Sequence, residues 1–502
     1  VVANSPEVAE GDVCIIRSDL DAKYGFAFWD NDQIADYQDI RPFWTSGRIT
    51  AYVSATSSGS LATLQNIVDA GGFDAKIETL PSWDDVIQKV KSDPRAFGFT
   101  VRYADPTGFL KDLVDTHDFT VGGLAERALR NTRTVDHPSD ARTVAEDPLV
   151  ITKGGTYTGT YVSHATSVPA ITVLTDEPVV LEDVVLRGPG ALVHAPWSDV
   201  DLTIRHARGE ATYPTVAGEP SGRFLHAEGY RRIVVEDSVM VGTSGIYLNA
   251  SHPGATVRVT GNLAVNVDGR RADGDGGYDG VHYVQFVQLN AATHLRDSEI
   301  AWNRVVNEPG ASRVEDVVSL FKSSGRPGDP IRVHHNLVQG AFPSNPATDD
   351  YSGGGIMLGD GGGAHQVAYA NTVVNTTNYG VAISGGHDMA LRDNVVVGSG
   401  VVDDTPLAAQ NVGLYVWNHA DDPAFGDAVA TDNHVAWAHP EHGRNDWWHP
   451  DADTWTDNER LHGDAAVTKR MERDAVQAWF DAASARDVEA ATRLAGLPPD
   501  AP

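Results

Sequence analysis

Hydrophobic and polar residues change rhythm once along this chain, near Pro148. Before it, short apolar runs alternate with two helical patterns. After it, a period-two alternation takes over and repeats. One strand type reads apolar–x–apolar and closes on an asparagine: Val257-Arg-Val-Thr-Gly-Asn262, Ile300-Ala-Trp-Asn303, Ile331-Arg-Val-His-His-Asn336, Val367-Ala-Tyr-Ala-Asn371, Leu391-Arg-Asp-Asn394 and Val429-Ala-Thr-Asp-Asn433. Ile233–Ser238 and Leu202–Ala207 fill the same slot. A second type lies about half a repeat upstream: Gly245–Asn249, Phe286–Asn290, Val317–Phe321, Gly355–Gly359, Gly380–Ser384 and Gly413–Trp417. The shortest spacings, Ser238 to Asn262 and Asn371 to Asn394, are 24 and 23 residues; longer ones are the same unit with an insertion. Two or three short strands per unit, with glycine turns and no helices between, predict a mainly β fold, a right-handed parallel β-helix solenoid over residues 146–450. Stacked coils would bury apolar ladders, and the asparagines would hydrogen-bond from coil to coil at a turn.

Residues 1–145 lack the repeat. Strand-like pieces (Asp12–Ile16, Arg48–Val53, Ala96–Tyr103) alternate with a helix over Gly59–Ala70, stopped by Gly71-Gly72, and another opening at Pro81-Ser82-Trp83-Asp84-Asp85 with Ser82 and Asp85 as a capping box. This predicts a small N-terminal α/β accessory or capping domain. Ser54–Ser60, opening a helix, could hold an anion on backbone N–H groups, and Ser54–Tyr103 is faintly similar to part of a periplasmic solute-binding protein. Residues 451–502 read as a C-terminal helical cap over the last apolar coil: Thr468–Ala483 and Ala485–Ala495 are helical, with a capping box at Ser484–Asp487 between them.

Composition narrows the picture. Hydrophobic residues make up 41% and glycines number 49, which suits an ordered, turn-rich chain. The single Cys14 excludes an intramolecular disulfide and a cysteine-based zinc site. A formal charge of −31 argues against nonspecific nucleic-acid binding. It also disfavours polyanionic glycans unless a basic patch or divalent cations reverse the local field. No run is long enough to span a membrane. The opening Val-Val-Ala-Asn-Ser-Pro has neither a basic n-region nor an apolar h-region, so a signal peptide is expected to be removed or never present. The expected location is secreted or cell-surface.

From Pro148 to Trp448 the chain resembles a family of bacterial right-handed parallel β-helix repeat proteins whose activity is not established. The resemblance rests on Ile151-Thr-Lys-Gly-Gly-Thr-Tyr157, Gly222–Gly229, Asn307–Asp316, Ser352-Gly-Gly-Gly-Ile-Met-Leu-Gly-Asp360, Asn411–Asn418 and Arg444-Asn-Asp-Trp-Trp448. It implies the fold and carries over no catalytic residue. More distantly, Glu315–Ser323 is similar to the Glu…Ser-x-Lys-Ser strand of β-helical alginate and chondroitin lyases, which implies Lys322 as base. Here the spacing departs, because Lys322 follows Ser319 by three residues and not two.

Ionisable residues crowd most densely between Arg313 and Asp360. Equivalent turns of a β-helix stack about 4.8 Å apart, so one edge would carry Tyr278, Asp279 and His282, then Arg313, Glu315, Asp316 and Lys322, then Asp350, Tyr351 and Asp360, then His387 and Asp388. A groove along that edge suits a linear polysaccharide, and three kinds of activity follow. The leading expectation is a lyase, which would use Lys322 as base, Tyr351 or His282 as proton carriers, and Arg313 or Ca²⁺ on Glu315, Asp316, Asp350 or Asp360 to neutralise a uronate. An inverting glycoside hydrolase would pair Asp316, Asp350 or Asp360 as acid and base. A non-catalytic binder would stack sugars on Tyr415, Trp417, Trp447 and Trp448. Tyr278 and His387 join Arg313 as candidate substrate contacts. His387-Asp388 should point to opposite faces of a strand. Gly359–Gly363 is no phosphate loop, since no helix or Lys-Ser/Thr follows, and no organic cofactor is expected.

Overall fold

The computed structural model describes residues 147–486, apart from 197–198, 348–350, 403–404, 409, 420 and 442, together with five N-terminal strands and residues 81 and 85. The chain divides into two compact units near residue 140. In the first, the five strands form one sheet in the order Lys76–Leu80, Thr50–Ser54, Ala96–Val101, Val13–Arg17, Thr116–Asp118. Thr50–Ser54 pairs in parallel with both neighbours, whereas Val13–Arg17 pairs antiparallel with both of its own. The helix expected over Gly59–Ala70, the anion loop at Ser54–Ser60 and all but Asp85 of the helix opening at Ser82 lie outside the described residues, Ser54 itself closing a strand.

The second unit is mainly β, built on long parallel sheets. Eleven strands form one sheet whose spatial order is their order in the chain: β1 Leu149–Ile151, β2 Ile171–Val173, β3 Val193–Ala195, β4 Leu225–Glu228, β5 Ile246–Asn249, β6 Val287–Asn290, β7 Asp316–Phe321, β8 Gly354–Leu358, β9 Tyr379–Ile383, β10 Val412–Val416 and β11 Trp447–Trp448. Between successive members the chain passes through further parallel strands, such as Ile331–His334 and Leu337–Ala341 between β7 and β8, and returns one position along. This architecture is compatible with the expected β-helix. Register sorts the side chains. Ile246, Val287, Val318, Ile356, Val381 and Leu414 are aligned across β5–β10 and buried in one core. The next residue of each strand (Tyr247, Gln288, Ser319, Met357, Ala382, Tyr415 and then Trp448) lies on the other face.

The asparagines behave as their repetition suggests. Asn262, Asn303, Asn336, Asn371, Asn394 and Asn433 each donate Nδ2–H to the Oδ1 of the next, at 2.8–2.9 Å, and the series ends on a seventh member, Asn458. The residue before each has positive φ, for instance 57° at Trp302 and 54° at His335. That left-handed residue breaks the strand alternation, so the chain turns while both flanking strands keep apolar residues inward.

Two expectations for the C-terminus change. Parallel pairing runs past residue 450, to Thr454–Thr456 and Glu459–Arg460. The single helix among the described residues, α1 (Lys469–Arg486), passes through Ser484 without the expected break. It packs on the flank of strands Thr372–Thr376 and Val395–Gly398, and residues 487–495 of the second expected helix lie outside the described residues. Specific partners hold it there: buried Glu472 accepts from Asn375 Nδ2 at 2.9 Å and Ser399 N at 2.6 Å, and Trp479 Nε1 donates to the His335 carbonyl at 2.8 Å. No helix among the described residues is long and apolar enough to cross a membrane.

Candidate active-site cleft

The outward face of β6–β11 carries a cleft of about 990 Å³. Six strands at about 4.8 Å spacing give it a length of roughly 24 Å. Its floor follows from alternation: Gln288, Met357 and Tyr415 occupy the outward row, with the Tyr415 hydroxyl 3.5 Å from Met357 Sδ and Ala382 between them buried. One rim carries amides, with Asn378, Asn411 and Asn445 linked by an Asn445 Nδ2 bond to the Asn411 carbonyl (2.9 Å) and a looser Asn411–Asn378 contact (3.4 Å). Aromatic rings frame the rest: Tyr283 and Tyr351 near one end, Trp417 and Trp448 near the other, all exposed. Gln285 also lines the cleft, and its buried Oε1 has no hydrogen-bond partner.

Among the described residues three carboxyl groups line this cleft, Glu315, Asp316 and Asp360. Asp316 opens β7 opposite Gly354 and is 8% exposed. The Tyr379 phenol reaches it from β9 and donates to Oδ1. Gly354 makes this possible, because a Cβ there would stand 2.2 Å from Tyr379 Cζ. Burial, then the charge of Glu315, push the Asp316 pKa up to about 8, against the opposing Tyr379 hydrogen bond and Arg313 charge. Asp316 therefore holds a proton at neutral pH. Asp360 accepts from Ser319 Oγ at 2.8 Å, and burial raises its pKa as well. Tyr379 and Tyr415 pack edge to face at 5.2 Å, and burial drives both phenol pKa values upward.

The predicted site residues separate. Glu315, Asp316, Tyr351, Asp360, Trp417 and Trp448 are brought together in the cleft. Arg313 is 1% exposed, with Nη2 donating to Glu315 Oε2 and Ser352 Oγ, both at 2.7 Å. It holds Glu315 from behind, out of a substrate's reach. Lys322 is exposed at φ 48° on the turn after β7, outside the cleft lining, its ammonium 5.0 Å from the Phe321 ring. Two residues after Ser319, where the lyase pattern has its lysine, stands Phe321, which does line the cleft. Lys322 lies one residue beyond the strand, and its left-handed φ breaks the alternation. His282 is half-buried outside the lining, with Nδ1 3.3 Å from Arg271 Nη2. Tyr278 lies on a hairpin under Arg270, 4.1 Å away. Trp447 is half-buried against the core, 5.6 Å from Trp455. His387 lies outside the lining too, but its Nδ1 meets Asp388 Oδ2 at 2.6 Å. The expected opposite-facing arrangement fails because Asp388 has φ 55°, which breaks the alternation.

Asp350 lies outside the described residues. Among those described, no three acidic or imidazole side chains converge as a metal site would require. Glu315 is tied to Arg313, Asp316 to Tyr379, and Asp360 to Ser319.

Tyr379, Gln285, Gln288, Met357, Ser384, His419 and the three rim asparagines escaped sequence reading. Alignment of the second strand type by register would have exposed Gln288 and Met357, since each follows an apolar core residue. Nothing local marks Tyr379, whose role depends on a glycine one strand away. No family model, curated protein or solved structure matches this chain.

Proposed function

We propose that the second unit is a right-handed parallel β-helix that binds a linear polysaccharide along the β6–β11 cleft and hydrolyses it. The observation that carries this reading is buried Asp316 with half-buried Asp360, in a cleft whose described lining has aromatic and amide side chains and no lysine or arginine. Rings take sugar faces and amides take hydroxyls.

Asp316, protonated at neutral pH, gives its proton to the glycosidic oxygen as the bond to the anomeric carbon breaks. Asp360 takes a proton from the water whose oxygen bonds to that carbon. Ser319, which holds Asp360, stands three residues and roughly 10 Å along β7 from Asp316. In an inverting enzyme the two carboxyl groups stand roughly 6.5–9.5 Å apart with the water between them. Elimination is served less well: a uronate would meet three carboxyl groups, and Lys322 lies outside the lining. A polymeric substrate implies work outside the cytoplasm.

Incubation with a glycan panel tests the reading. New reducing ends without ultraviolet absorbance from unsaturated uronates, lost in Asp316→Asn, are expected. Unsaturated products would establish elimination in its place, and binding without cleavage would reduce the protein to a lectin.

A further inference from the structure

The outward row does not stop at the cleft. From Gln288 it continues to Tyr247 on β5, His226 on β4 and His194 on β3. His226 lies 5.0 Å from the His194 ring and 5.2 Å from the Tyr247 ring. Charge reverses along this continuation. The Arg223 guanidinium lies over the Tyr247 ring at 4.8 Å, with Nη1 donating to the Ser244 carbonyl at 3.0 Å. Arg271 is bound to the Val281 and Gly218 carbonyls and to His282. Among the described residues neither arginine has a carboxylate partner, in a chain of net charge −31. His282 immediately precedes the cleft residue Tyr283, and Arg223, Arg271 and Arg313 all act on it, opposed by Glu219. Glu228 engages His226 at 3.0 Å.

We propose that Arg223, with His226 and His282 beside it, forms an anion subsite continuous with the cleft, which takes an acidic substituent (carboxylate or sulfate) of the polysaccharide whose neutral part lies over Asp316. This rests on the glycan reading and gives it a substrate class, a polymer carrying spaced acidic groups. Burial lowers the Arg223 pKa to about 10, so it stays charged at neutral pH, and a half-buried cation held by one carbonyl and one ring is short of a counter-charge. His282 is held below its ordinary pKa, first by burial and then by the arginines. A bound anion would offset that repulsion and raise it.

Glucuronate, its neutral methyl ester and inorganic sulfate are titrated into histidine-labelled full-length protein, with NMR reading the His226 and His282 rings. The expected result is a saturable shift with glucuronate or sulfate and none with the ester. Arg223→Gln should weaken it by about tenfold or more, the worth of a charged hydrogen bond, whereas Trp448→Ala should leave it intact. A response to glucuronate alone identifies a uronate, one to sulfate alone a sulfate ester, and one to both a general anion subsite. His282→Gln, read at His226, gives a second variant with a smaller expected loss. No saturable shift in the wild type, or an unchanged one in Arg223→Gln, overturns the subsite. The cleft reading fails separately, if neutral oligosaccharides bind wild type and Trp448→Ala alike.

Discussion

Replacing Asp316 with asparagine should stabilise this protein at alkaline pH while abolishing its catalysis. Asparagine keeps the shape and the oxygen that accepts from Tyr379 but cannot ionise. The fold raises the Asp316 pKa from 3.8 to about 8. Between those values the unfolded chain releases a proton that the folded chain keeps, so stability falls as pH rises, by about 1.4 kcal/mol per unit. Over some four units the penalty is on the order of 5 kcal/mol, complete above pH 8. Calorimetric melting of both proteins from pH 4 to 9 measures it. The two should nearly coincide near pH 4, after which Asp316→Asn should hold its midpoint as the wild type falls. Parallel curves across the range would refute the buried, proton-bearing carboxyl. An activity retained by the asparagine variant would refute its role as acid.

Tyr379→Phe removes the hydrogen bond that favours the Asp316 carboxylate, so the alkaline limb of kcat/KM should move upward from about 8, by roughly one to two units; a downward move would show that the phenol stabilises the protonated acid instead. Asn336→Ala takes the shared acceptor from the buried Asn303 N–H and Nδ2–H and a donor from the Ile300 carbonyl, and thermal or denaturant unfolding should register a loss of about 3 kcal/mol or more. A loss below about 1 kcal/mol would mean that the ladder is replaced by water. Lys322→Ala should retain activity within a few-fold, measured as reducing ends released, because the ammonium stands outside the cleft; complete loss would return the lysine to the chemistry.

The repeat was legible because stacking makes one physical demand many times. Asn336 reads as structural from its place in a series, and the series supplies its hydrogen bonds. The site was legible only as a neighbourhood. Asp316 and Asp360 stood out beside strand ends, but so did Arg313 and Lys322, and sequence cannot say which side of a turn a charge takes. A left-handed residue at Lys322 and another at Asp388 each reverse a side chain that alternation had placed. Tyr379 was hidden for a different reason. Its partner comes from two strands away in the sheet, and Gly354, which opens the path, resembles every other turn glycine. The helix α1 pattern was correct in kind, but its docking surface depends on Asn375, Ser399 and His335, far off in sequence.

The most direct test of hydrolysis by the β6–β11 cleft is mass spectrometry of the products formed in heavy-oxygen water. Hydrolysis predicts one labelled oxygen at each new reducing end, with none formed by Asp316→Asn. Unlabelled, unsaturated ends would contradict it.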